Sequence, residues 1–159
     1  MRIVLPVHWG FVLLACPLIA AAADPLPTLT LLEGPAGLVR GVTRYALAEG
    51  VRMQSGDIIE VGDKGLAEIE FPDGAAISLG AGTRVLTVSM PRGTAAAAEY
   101  YLTQGALKVS GVSKAARFRI ATPALILQPA EGVSVMIVRG DEGSVFIESG
   151  AARLTAGAA

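Results

Sequence analysis

From Asp24 onward, apolar and polar residues alternate with a period of two, in short runs separated by glycine-containing turns. The stretch Ser55 to Leu79 is the clearest. There Ala67, Ile69 and Phe71 alternate with Glu68 and Glu70, the mark of a strand with one face buried and the other in water. Gly62-Asp63-Lys64-Gly65 and Pro72-Asp73-Gly74 supply the turns, since glycine tolerates positive φ and aspartate hydrogen-bonds its own backbone. The same pattern predicts strands at Leu38 to Leu47, Ile58 to Val61, Leu66 to Phe71, Ala76 to Leu79 and Arg84 to Ser89. It predicts more at Tyr100 to Thr103, Ala106 to Val112, Phe118 to Ala121, Leu125 to Gln128, Val133 to Val138 and Ser144 to Glu148. Gly140-Asp141-Glu142-Gly143 predicts a hairpin between the last two. Pro91-Arg92-Gly93 interrupts the run, and the alanines after Thr94 predict one turn of helix at most.

About eleven short, mostly antiparallel strands predict a single all-β domain, a β-sandwich or β-roll. A solenoid of stacked β turns is the structural alternative, and the crossover helices of a parallel α/β fold are missing. The expected organisation is a signal peptide at 1–23, a lead-in at 24–36, the β domain at 37–154 and a flexible tail at 155–159. Arg2 gives the signal its positive start, Val12 to Ile19 its apolar stretch, and Ala21-Ala22-Ala23 before Asp24 its small-residue cleavage site. A membrane anchor is disfavoured by Pro6 and Pro17 and by an apolar run short of the roughly 20 residues a span needs. Lipidation at Cys16, the other alternative, is disfavoured because Leu14 departs from a lipobox and more apolar sequence follows. The expected location is therefore periplasmic or secreted, with no stable membrane span after cleavage.

His8, Trp9 and Cys16 are the sole residues of their types, and all three lie in the expected signal. A mature chain starting at Asp24 would have no Ser-His or Cys-His pair, no thiol redox centre, and no nitrogen or sulfur ligand for zinc, copper or haem. It would form no disulfide, and its stability would come from the core alone. No catalytic, cofactor-binding or metal residue is expected. Of 13 lysines and arginines, Arg2 goes with the signal, which leaves the remainder just short of the 14 acidic residues. Nucleic acid binding would need a basic stripe, and Lys108, Lys114, Arg117 and Arg119 read instead as charges at strand ends.

Other constellations have plain explanations. Asp57, Asp63 and Asp73 lack the Asp-x-Asp-x-Asp-Gly spacing of a calcium loop and read as turn residues beside glycine. Glu68 and Glu70, two apart on one strand, read as solvated charges rather than as the facing carboxylates of a glycosidase. Gly50 to Gly56 lacks the lysine of a phosphate loop. Tyr100 and Tyr101 should alternate, one in the core and one at the surface.

Gly56-Asp57 opening a strand, Leu66 to Phe71 followed by Asp73-Gly74, Leu102-Thr103-Gln104-Gly105-Ala106-Leu107 and Phe118-Arg119-Ile120-Ala121-Thr122-Pro123 occur here in an order that resembles the FecR domain, from about Leu32 to Leu154. FecR domains usually carry an Arg-Gly-Thr or similar turn after the Thr-Pro segment; Glu131-Gly132-Val133 stands there instead. The resemblance implies a periplasmic domain that, in well-known members, relays transporter occupancy to a sigma factor. The expected organisation has no place for the cytoplasmic region, internal span and C-terminal domain such a relay requires, so the resemblance is expected to imply a free-standing, non-catalytic interaction or signalling-accessory module. Its expected partner is another envelope protein. A cell-wall glycan module is the alternative, disfavoured because sugars stack on exposed aromatics and the mature chain would have no tryptophan.

Overall fold

The structure, a computed structural model, describes residues 26–90, 97–112 and 118–157. The expected signal peptide with His8, Trp9 and Cys16, and Lys114 and Arg117, lie outside the described residues, as do the first two of the four alanines after Thr94; the last of them, Ala98, begins a strand rather than a helical turn. The described chain forms eleven strands: β1 (Thr28–Glu33), β2 (Ala36–Arg40), β3 (Thr43–Ala46), β4 (Ile58–Val61), β5 (Leu66–Glu70) and β6 (Ala76–Leu79), followed by β7 (Arg84–Ser89), β8 (Ala98–Val112), β9 (Phe118–Ala121), β10 (Leu125–Arg139) and β11 (Glu142–Ala156). All belong to one sheet, with β1-β5-β6-β8-β7-β4-β2-β3 as its main path and β9, β10 and β11 attached through β8 and β10. Every pairing is antiparallel except β8 with β9. The fold is thus all-β, and its sheet curls on itself as a roll rather than splitting into the two sheets of a sandwich.

Alternation builds the core as expected. Ala67, Ile69 and Phe71 are buried while Glu68 and Glu70 turn outward, and cross-strand neighbours extend the row inward to Leu79 and Ile77 on β6 and Leu107 and Val109 on β8. Phe71 meets Phe118 edge to face, ring centroids 4.9 Å apart. Tyr100 is buried and Tyr101 half-buried.

Three strands are longer than the pattern predicts, each for a stereochemical reason. β8 joins two expected strands through Gly105, whose φ of +90° bends it. A side chain there would meet Thr83, which clamps the bend by donating from Oγ1 to Ala106 O and accepting from Ala106 N, both at 3.0 Å. The first half of β8 consequently pairs with β7 and β9, the second with β6 and β10. β10 likewise runs through Pro129. Between its contacts with β9, which end at Leu127, and those with β8, which begin at Gly132, it pairs with β11 alone, so the missing proline N–H sits at a gap and a bulge. The Gly132 segment is therefore no turn. Gly132 and Gly150 face each other across β10 and β11 with φ of +81° and +80°, and bend the two strands together.

Four local expectations change. Leu38 to Leu47 is a hairpin, since Gly41 at φ +61° starts a two-residue loop with Val42 between Arg40 and Thr43. The lead-in holds β1; a bulge at Thr30 lets both Leu29 and Leu32 meet inward-facing partners, so the two-residue period breaks while pairing persists. Gly62 and Gly65 keep negative φ, and a side chain on either would press on Pro35 or Val61; they permit close packing rather than positive φ. β11 continues past Leu154 to Ala156, paired with Leu125.

The curl closes at its first edge. Beside β1, the segment after β3 gives and takes backbone hydrogen bonds: Leu29 N to Val51 O at 2.9 Å, Gly50 N to Leu29 O and Met53 N to Pro27 O, both at 2.8 Å.

Candidate functional site

One outward-facing row of cross-strand neighbours crosses five strands: Ala46 on β3, Gly37 on β2, Glu60 on β4, Arg84 on β7 and Gln104 on β8. Small residues at one end and charges at the other make it a trough, open to solvent, of about 660 Å³. Gly37 is central to its geometry. Having no side chain, it lets the Arg44 guanidinium lie over it, 3.3 Å from where a Cβ would stand, and reach Glu60 Oε2 at 2.8 Å. Arg84 approaches Glu60 Oε1 from the other side at 3.3 Å. Two guanidinium groups share one carboxylate, so the trough carries a surplus positive charge; half-exposed Tyr45 lies at the same β3 edge but, paired with buried Leu38, turns to the other side of the sheet. Arg44 and Arg84 are well exposed, so these ion pairs add little to stability and leave N–H groups free for a visiting carboxylate.

Behind the trough lies a buried ion pair. Asp57, fully buried, receives Arg40 through both oxygens, Nε at 2.8 Å and a terminal nitrogen at 2.7 Å, and accepts from Gln54 N at 2.8 Å. Arg40 also donates to Arg52 O at 3.0 Å. The Asp57 carboxylate hydrogen bond holds the Arg40 guanidinium above its ordinary value. Asp57 is thus a turn aspartate, as the glycine beside it implies, and also the anchor of a bidentate pair that ties β2 to the turn before β4.

The other sequence candidates are scattered. Asp73 caps its own turn, accepting from Ala75 N at 3.2 Å, and Asp63 sits in the exposed turn after β4. Glu68 accepts from Ser78 Oγ at 2.9 Å, and Glu70 is exposed. Lys108 pairs with Glu148 at 2.9 Å, and Arg119 is half-buried on β9. Among the described residues no group of His, Cys, Asp and Glu side chains is placed to hold a metal ion, and no helix is long and apolar enough to cross a membrane. Sequence reading missed the trough, because Arg44, Glu60 and Arg84 lie on separate strands and meet only through the pairing of β3, β2, β4 and β7.

A curled sheet of antiparallel strands with one core and a charged trough on its outer face defines an all-β domain. The chain belongs to the FecR family: the model described as FecR protein matches residues 57–153, from the buried Asp57 to β11. That family is regulatory and associated with the cell envelope. No curated protein matches the chain. No solved structure matches it.

Proposed function

We propose that the protein is a non-catalytic interaction module of the cell envelope, exported by a signal peptide ending at Ala23, which acts in signalling by binding another envelope protein. Membership of a regulatory family carries this reading, and the trough beside β3 supports it. The β3 edge offers main-chain groups for strand addition, Arg44 and Arg84 on the outer side a place for an acidic side chain of the partner, and Tyr45, on the other side of β3, an aromatic contact at that edge. Expressed with its signal and crosslinked in the periplasm, the protein should recover one specific envelope protein above background. Arg44→Glu with Tyr45→Asp should lose it. Retention on purified peptidoglycan with no protein recovered would overturn this reading in favour of glycan binding.

A further inference from the structure

The hydrogen-bond phase of β3 decides what its free side can pair with. Leu47 donates from its backbone to Ala36 O at 3.1 Å, so Ala36 and Leu47 form a hydrogen-bonded pair; by the alternation of an antiparallel ladder, so do Leu38 with Tyr45 and Arg40 with Thr43. The backbone N–H and C=O of Arg44 and Ala46 therefore point away from β2. Gly62 N, donating to Pro35 O at 2.8 Å, sets the β2–β4 ladder in the complementary phase. Among the described residues no strand pairs with the other side of β3, and all four of its residues are exposed. Arg44 and Ala46 are also the two whose side chains lie on the outer side, in the trough, while Tyr45 turns to the side of buried Leu38.

We propose that the envelope partner docks as an extended segment antiparallel to β3, with a glutamate opposite Ala46, an apolar residue next, opposite Tyr45, and the following residue opposite Arg44. The proposal rests on the interaction reading above and names the chemistry of the segment that reading requires. Opposed residues share a side of the sheet, so the glutamate enters the trough and the apolar residue meets Tyr45. The Arg44 guanidinium leans inward over Gly37 and holds Glu60 from one side, as Arg84 does from the other. A backbone added beside β3 stands about 10 Å from Gly37, two strand spacings, a gap that a glutamate and the arginine span together. Ala46, with only a methyl group, leaves the way between them open. The arriving carboxylate balances two guanidinium groups that share one carboxylate, through a charge-assisted hydrogen bond. A one-residue slip would carry the acid to the side of Tyr45 and Leu38, away from both arginines.

The probe is the peptide Val-Glu-Val-Thr-Val, acetylated and amidated, added to the protein purified from expression of the full chain. At saturation it should slow amide hydrogen exchange at Arg44 and Ala46 by about tenfold or more, and leave Tyr45, already bonded to β2, unchanged. Glutamine in place of the glutamate should weaken binding about threefold or more, and lysine about tenfold or more. Ala46→Pro removes an outward N–H and no bond to β2, a change that an edge strand accepts, and should abolish binding. Ala46→Glu, which fills the mouth of the trough with like charge, should weaken it about tenfold, and decides the matter if circular dichroism shows the proline variant unfolded. Equal binding of the three peptides, slowed exchange at Tyr45 in place of Arg44 and Ala46, or indifference to the Ala46 substitutions would overturn the proposal. Recovery of the crosslinked partner by Ala46→Pro at the parent's level would overturn strand addition and leave the interaction reading standing. A parent that binds the peptide in this register yet recovers no envelope protein would do the reverse.

Discussion

Phe71 shows how one residue closes this roll. It ends the alternation of β5, its N–H donates to Ala75 O at 2.8 Å across the turn, and its ring sets the edge-to-face contact with Phe118 on β9. Phe71→Ala removes a large buried side chain from between two parts of the sheet distant in sequence, and should cost about 3 to 5 kcal/mol in urea unfolding. A loss under about 1 kcal/mol would contradict that packing role. Tyr100 makes a different test. Its phenol is buried and finds only Met90 Sδ at 3.8 Å, a weak acceptor. Burial first, then the charge of Asp57, push its ionisation well above the ordinary tyrosine value. The unfolded chain ionises at about pH 10 while the folded one stays protonated, so this contribution is complete below pH 10 and is lost as pH rises beyond it, by at most about 1.4 kcal/mol per unit. Stability measured at pH 8 and pH 11 should therefore fall less in Tyr100→Phe than in the parent. Equal falls would mean that Tyr100 ionises alike in both states.

At the scale of elements, paired bends organise the sheet. Gly105 bends β8 against Thr83, and Gly132 and Gly150 bend β10 and β11 against each other. These bends let a long strand leave one neighbour and join another, as β8 passes from β7 to β6. Both requirements, positive φ and no room for a side chain, meet at Gly132, whereas Gly50 at φ +84° has open space around it. Gly132→Ala should cost roughly 1 to 3 kcal/mol or more, and distinctly more than Gly50→Ala, in the same denaturation assay. Equal costs would show that backbone conformation alone, without the close approach of β11, sets the need for glycine.

For the whole molecule, the outer face and the β11 edge are separate surfaces. The trough gathers charge from β3, β4 and β7, and β11 extends the far end of the sheet. The proposed role at the trough needs that outer face to be open to an envelope partner. It also requires that the chain reach the envelope. Ala21-Ala22-Ala23 before Asp24 sets the expected cleavage, so mass spectrometry of protein exported from a bacterium should show a mature chain beginning at Asp24. A lipid-modified chain beginning at Cys16 would make it an anchored lipoprotein instead.

Sequence alone determined what depends on nearest neighbours along the chain. The period of two placed Ala67, Ile69 and Phe71 inward, Asp73-Gly74 declared its turn, and the ordered short motifs pointed to the FecR family. Each is legible because alternation, turn chemistry and motif order are local. Where a local rule was broken, the sequence misled: Gly105, Pro129 and Gly132 read as breaks between strands, and Thr30 as part of a lead-in without one. Tertiary structure decided that strands continue through them, since a bulge, a clamp by Thr83 or a facing glycine absorbs the irregularity at long range. It alone brought Arg40 to Asp57 and Arg44 and Arg84 to Glu60, because sheet register, which no single segment encodes, sets which side chains of distant strands lie side by side.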